Sequence, residues 1–280
     1  MLAYRHLFHA GSAADVFKHA LLVQLLIAAA RKDKPYFYLE THAGIGRYDL
    51  NHPWAQKNAE FQEGILRLWG RTDAPESLSV YLEVVRSENS GRALRYYPGS
   101  PLIASRLLRE RDRMVLAELN REDCAQLAGL LARDRRVRVH HMDGYQALKA
   151  FLPPPERRGL ILIDSSFDRA REFARLAEAL ALAHGRFATG VYAVWYPLME
   201  PAAVRAFERD VVASGIRRIL RLELSVRPEQ WRGEMRGSRM LVVNPPFEFD
   251  GISGAMLAWL WKALSPEGEG RHGVDWLVGE

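Results

Sequence analysis

Four short stretches combine residue types that could do chemistry: E-T-H-A-G-I-G at 40–46, L-A-E-L at 116–119, M-D-G at 142–144 and I-D-S-S-F at 163–167. Each closes a run that reads as a strand, and an open α/β sheet places its ligand crevice outside the carboxyl ends of its strands. Gly44 and Gly46 let the backbone approach a ligand closely. The third glycine of a dinucleotide fingerprint is missing, because Arg47, Tyr48 and Asp49 follow, so the turn does not require a pyrophosphate.

A cofactor without phosphates and with a cationic centre suits this pattern, which points to S-adenosylmethionine. Glu118 ends its strand where a carboxylate can accept both ribose hydroxyls. Asp143 can hold the exocyclic amine of the cofactor's adenine, and Gly144 leaves room for the ring. Taken singly, each acid is also an ordinary strand-end turn residue. Asp164 supplies the chemistry. The lone pair of an adenine's exocyclic nitrogen is delocalised into the ring; a strand-end carboxylate and the carbonyl of Ser165 can accept its two N–H bonds and aim the lone pair at a methyl group. Phe167 can stack on the base, and most of the rate would come from positioning.

Seven strand-like runs must carry these residues: 36–43, 113–119, 137–144, 159–167, 190–198, 218–226 and 238–246. Helical patterns separate most of them, which predicts a Rossmann-like α/β fold with a seven-stranded, mostly parallel sheet covered on both faces. Runs such as G-L-I-L-I-D are apolar throughout, as strands buried on both sides are. The separation of Glu118 from the glycine turn predicts a helical insertion at 49–110, built on F-Q-E-G-I-L-R-L-W-G and S-L-S-V-Y-L-E-V-V-R-S-E-N, within a methyltransferase domain of 1–48 and 111–280. S-A-A-D at 12–15 predicts a capped helix running to about Arg31. The order of the Gly-rich, charged segment 265–273 is doubtful.

The chain of 280 residues is 48% hydrophobic and carries 33 arginines, six lysines and a formal charge of +5, which allows an acidic partner such as RNA. One cysteine, Cys124, excludes an intrachain disulfide and a thiolate metal cluster. The first twenty residues lack the order of a secretory signal, and the longest apolar stretch is too short to cross a bilayer. We expect a cytoplasmic monomer with no membrane and no metal.

Y-R-H-L-F-H-A-G-S-A-A-D-V-F-K-H at 4–19, then Y-L-E-T-H-A-G-I-G-R-Y, Y-P-G-S-P at 97–101, L-A-E-L, M-D-G-Y and I-L-I-D follow in order. Together they resemble the RlmJ family, the ribosomal RNA large-subunit methyltransferases J. The resemblance covers essentially the whole chain. It implies methylation of adenine N6 in 23S rRNA, with His19, His42, Gly44, Ser100, Glu118, Asp143, Gly144 and Asp164 around S-adenosylmethionine. It also makes Asp164 the catalytic acceptor and places Tyr4 against the RNA, where Arg5 and His6 could complete a clamp.

Other readings of these residues stay open. Lys18 and His19 could be exposed helix residues, and Ser100 before Pro101 could be a plain helix cap. The family pattern Asp-Pro-Pro-aromatic is Asp164-Ser165-Ser166-Phe167 here, so slower catalysis, an altered target or an inactive RNA-binding relative are alternatives, as is an NAD-dependent oxidoreductase. The N-P-P-F at 244–247 looks like the catalytic motif, but it ends a strand expected to run antiparallel and is read as a decoy.

Overall fold

The structure is a computed structural model and describes residues 5–167, 171–231 and 235–279. Among them, the chain begins with a single 3-10 turn, His6–Phe8, and then α1 (Ala13–Ala30). Ser12 caps α1 by accepting the Asp15 N–H, as S-A-A-D predicts; the Asp15 carboxylate reaches back one residue further, to the Gly11 N–H, while the Ser12 N–H donates to the His9 carbonyl. There follow β1 (Phe37–Glu40), β2 (Arg47–Asp49), α2 (Pro53–Asn58), α3 (Glu76–Ser87), β3 (Tyr96–Pro98), α4 (Ser100–Leu107), β4 (Arg113–Glu118), α5 (Arg121–Leu130), β5 (Val137–His141), α6 (Gly144–Phe151) and β6 (Gly159–Ile163). The remainder is α7 (Glu172–Arg186), β7 (Val191–Pro197), α8 (Pro201–Ala213), β8 (Ile219–Ser225), β9 (Gly237–Val243), α9 (Phe249–Leu264) and β10 (Arg271–Val278).

The large sheet has the order β10-β8-β9-β7-β6-β1-β4-β5. Strands β5, β4, β1, β6 and β7 are parallel, and β9 runs antiparallel to both β7 and β8. Successive strand residues feed opposite faces. Tyr38, Met114, Leu116 and Leu162 pack beneath α1, α3, α4 and α9; Phe37, Leu39, Val115, Ile161 and Ile163 pack beneath α6, α7 and α8. Two covered faces are why these strands read as continuous apolar runs.

The expectation of seven strands falls one short. β10 adds an eighth by pairing antiparallel with β8, so the tail is ordered from Arg271. F-Q-E-G-I-L-R-L-W-G is not one α-helix but two 3-10 turns, Glu60–Gln62 and Ile65–Arg67. Gly64 lies between them, where a Cβ would fall 2.0 Å from the Gly11 carbonyl oxygen; the chain is pressed there against the start of α1, and a continuous helix cannot follow that surface. β2 and β3 pair as a separate ribbon, so residues 50–95 leave and return at one point.

Among the described residues α1 is the helix long and apolar enough to cross a bilayer, yet 61% of it is buried inside the fold. Phe17, Leu21, Leu22, Leu25 and Leu26 are buried in the core, each contributing roughly 1.5–3 kcal/mol of apolar burial. α1 is a core helix whose polar residues must therefore find partners inside.

Candidate active site

The chain runs from β1 to β4 and β5 on one side, and to β6 and β7 on the other, so the sheet order reverses beside β1. A crevice opens at the carboxyl ends of these strands. It is lined by His6, Lys18, His19, His42, Gly44, Ser100, Glu118, Asp143, Gly144, Asp164, Ser165 and Ser166, among others. The structure thus brings the predicted strand-end acids, glycines and histidines to one wall.

Gly44 holds φ +64, a conformation that glycine adopts without strain, and its N–H donates to Glu118 Oε2 at 2.8 Å. The other Glu118 oxygen accepts the Asn120 N–H. Burial pushes the Glu118 carboxyl up, and these backbone donors oppose the rise. Asp143 caps α6 through one oxygen, accepting the Tyr145 and Gln146 N–H groups, while its other oxygen lies 3.7 Å from Arg175. Each carboxylate has lone pairs left for ligand hydroxyl or amine donors. His42 shares a hydrogen bond with Thr41 Oγ1 and sits edge-on to Tyr145; burial pushes its pKa down.

A charged chain runs beneath this wall. Asp15, Lys18 and His19 occupy one face of α1 by their i, i+3 and i+4 spacing. Lys18 Nζ lies 2.9 Å from Asp15 Oδ1 and 2.6 Å from Asp164 Oδ2, and His6 Nε2 lies 3.0 Å from Asp15 Oδ2. Burial works against the Lys18 charge, but Asp15 and Asp164 outweigh it and hold the ammonium well above its ordinary range. Burial likewise opposes the Asp15 charge, and His6, Lys18 and His19 hold that carboxyl well below its ordinary value. Lys18 engages one oxygen of Asp164, Oδ2.

Lys18 and His19 are buried, not exposed. His19 Nδ1 is 2.8 Å from the Tyr97 hydroxyl, and its Nε2 has no hydrogen-bond partner. Burial pushes the ring's pKa down to about 3, so it stands neutral, with one nitrogen in want of a partner at the crevice wall. Ser100 is not the cap of α4, which is Gly99; Ser100 lies at the first helical position, and its hydroxyl donates to Glu40 Oε1.

Not every predicted residue lines the crevice. Phe167 stands apart from it, with φ +51, and packs on Phe173 at 4.7 Å and Trp195 at 6.1 Å. Arg5 lines a neighbouring hollow and is tied to Asp123 at 2.9 Å and to Glu122. Tyr4 lies outside the described residues. The N-P-P-F motif is at the opposite end of the sheet: Asn244 Nδ2 donates to the Ala188 and Gly190 carbonyls, just before β7 begins.

Lys18, Asp15 and Glu40 were missed as site residues. Glu40 is fully buried and accepts from the Tyr38 and Ser100 hydroxyls. Burial raises its pKa to about 8 against the partial relief of those two donors. Between its ordinary value and about 8, the folded carboxyl therefore keeps a proton that the unfolded one has released. Its contribution to stability falls as pH rises through that window and levels off above it. His19, neutral when folded but half-protonated at about pH 6.5 when unfolded, offsets part of this loss below about pH 7.5 and adds no slope above it. From about pH 6.5 to pH 8 the Glu40 loss itself amounts to about 1–2 kcal/mol. Glu40→Gln is expected to flatten the change, measured by denaturant unfolding at both pH values; an unaltered slope would assign it to another group.

The family model described as Ribosomal RNA large subunit methyltransferase D, RlmJ, matches residues 33–278. The chain is 45% identical over 280 residues to Ribosomal RNA large subunit methyltransferase J of Escherichia coli, and 43% identical over 281 residues to the protein of that name from Haemophilus influenzae, covering all of each. The crystal structure of a Legionella pneumophila protein superposes with a TM-score of 0.90 at 38% identity, over 96% of this chain and 98% of that one. Fold, crevice and full-length similarity agree, and the chain belongs to the RlmJ family of ribosomal RNA large-subunit methyltransferases.

Proposed function

We propose that this chain methylates the exocyclic N6 of an adenine in 23S ribosomal RNA, acting as a single cytoplasmic polypeptide. S-adenosylmethionine is the donor, and it supplies an electrophilic methyl group on a cationic sulfur. The observation that carries the reading is Asp164, held just beyond β6 by Lys18 at 2.6 Å in the same crevice as Glu118 and Asp143.

The residues fit that donor. Glu118 retains lone pairs for ribose hydroxyls, Asp143 has one oxygen free of capping duty for an adenine amine, and His19 Nε2 is a buried atom without a partner. Gly44, Gly144, His42 and Ser100 complete the wall that would hold it. Asp164 and the Ser165 carbonyl would accept the two N–H bonds of the target nitrogen, localise its lone pair and receive its proton. Tyr4, with Arg5 and His6, would close on the splayed base. Phe167 would then act through its packing on Trp195 rather than by direct stacking.

The test is nucleoside mass spectrometry of unmodified 23S rRNA after incubation with the protein and S-adenosylmethionine. N6-methyladenosine is the expected product. A methyl group on another atom would overturn the target assignment, and no transfer to any rRNA would overturn the reading of Asp164 as a competent acceptor.

A further inference from the structure

The crevice continues beyond Asp164. His6, Gly44, Tyr48 and Asp123 also line a second hollow, whose walls include Arg47, Trp54 and Tyr96. Arg47 is in turn a wall of a third, open groove that follows α4, the end of α5 and the start of β5. The first two depressions share four walls, and the second meets the third at Arg47, so the three follow one another away from the crevice end of β6.

Charge changes along this path. In the second hollow Arg5 is engaged by Asp123, and Asp49 of its wall by Arg95. The third groove is lined by seven arginines and four acids, a formal balance of 7 − 4 = +3. Its acids are largely consumed within the fold. The buried Glu88 carboxylate is shared by Arg47 and Arg106, Asp134 is held by Arg136, and Asp112 by Arg109. Exposed Arg133, Arg135 and Arg138 have no carboxylate partner among the described residues, and Glu110 is the exposed acid set against them.

We propose that this groove docks the sugar-phosphate backbone of ribosomal RNA flanking the target adenine, with phosphates running from Arg47 past Arg106 to Arg133, Arg135 and Arg138. The proposal rests on the reading of the chain as an rRNA methyltransferase. A guanidinium fork pairs with phosphate oxygens in two-point fashion, and backbone contacts position an RNA without reading its sequence. Val137 opens β5 and His141 closes it on the crevice side, so the arginine cluster at its start stands roughly 13 Å back along the strand from the crevice end, at a strand rise of about 3.3 Å per residue. Only an RNA that extends past the reacting nucleotide reaches it. A protein partner would need an apolar centre, and the exposed large hydrophobic residues, such as Trp231, Phe247 and Trp276, lie outside the groove.

The experiment compares the full-length protein with the triple variant Arg133→Ala, Arg135→Ala, Arg138→Ala, and with the same three positions changed to Lys as a charge-retaining control. Binding to 23S rRNA is followed by fluorescence anisotropy across salt concentrations, and methyl transfer to the same RNA is resolved into kcat and KM. For the alanine variant the expected result is a KM raised at least about tenfold with kcat and S-adenosylmethionine affinity kept. Its plot of log affinity against log salt should be shallower by about 2, as expected when three single-strand phosphate contacts are lost. The lysine control is expected to keep most of the slope. An unchanged KM and slope would overturn the proposal. So would a defect seen with ribosomal particles but not with naked RNA, which would assign the groove to a protein. A wild-type chain that binds the RNA without methylating it would sink the reading of the active site while the salt slope still tests the groove.

Discussion

Asp164→Ala is expected to lower single-turnover methyl transfer by about 10³-fold, the combined range of losing a positioned proton acceptor and an electrostatic contact to the reacting group. An exocyclic amine has no useful nucleophilicity until its lone pair is localised, and Asp164 is the carboxylate at the crevice end of β6. The fold is expected to survive the change, because Lys18 keeps Asp15 at 2.9 Å and is not left as an unpaired buried charge. Rapid-quench transfer of a labelled methyl group to 23S rRNA gives the rate, and calorimetric titration with S-adenosylhomocysteine gives cofactor affinity. A large fall in rate with affinity changed less than about tenfold places Asp164 on the target nitrogen. A parallel fall in both would make it a cofactor ligand alone, and activity within tenfold of wild type would remove it from the chemistry.

The part of this site that was legible in the sequence is the part fixed by strand ends. Glu118 and Asp164 end apolar runs and Asp143 ends a mixed one, V-R-V-H-H-M, and a parallel sheet puts the carboxyl ends of neighbouring strands side by side. The glycine turn and the S-A-A-D cap are local signals, so they too could be read without tertiary knowledge. Lys18 and His19 were ambiguous because a helical lysine is ordinarily exposed. The clue lay in α1 itself: it is apolar all round and buried on most sides, so it has no outer face on which those two could ride. Glu40 was overlooked for the reverse reason, a single acid at the end of a fully buried strand.

Where the fold was misread, the deciding contact lies far away in sequence. β10 runs in successive pairs of exposed and half-buried residues, without the two-residue alternation of a strand, and carries Arg271, His272 and Asp275, a composition that favours a loop until β8 supplies a pairing edge and α9 covers it. The 3-10 turns at 60–67 reflect the proximity of Gly64 to Gly11, which no window of ten residues contains.

The close approach of Gly144 to Thr41 provides a second test, independent of any titrating group. A Cβ at Gly144 would fall 2.0 Å from the Thr41 carbonyl oxygen and 2.7 Å from its carbon. Both are backbone atoms just past β1, so no side-chain rotation relieves the clash. Gly144→Ala must push the start of α6 away from the end of β1 by an ångström or more. Asp143 caps that helix through its side chain and would move with it, away from His42 and the Glu118 wall. A displacement of that size is expected to lower S-adenosylmethionine affinity by about 10²-fold and to cost about 1–3 kcal/mol of stability through overpacking. Gly254, in α9, has nothing within 4 Å of the corresponding position, so Gly254→Ala is expected to stabilise by about 0.5–1 kcal/mol with cofactor binding unchanged. Calorimetric titration and denaturant unfolding of the two variants separate a general effect of replacing glycine from a specific one. Wild-type affinity in Gly144→Ala would show that the contact with Thr41 does not shape the crevice, and that the acids find their places from the sheet alone.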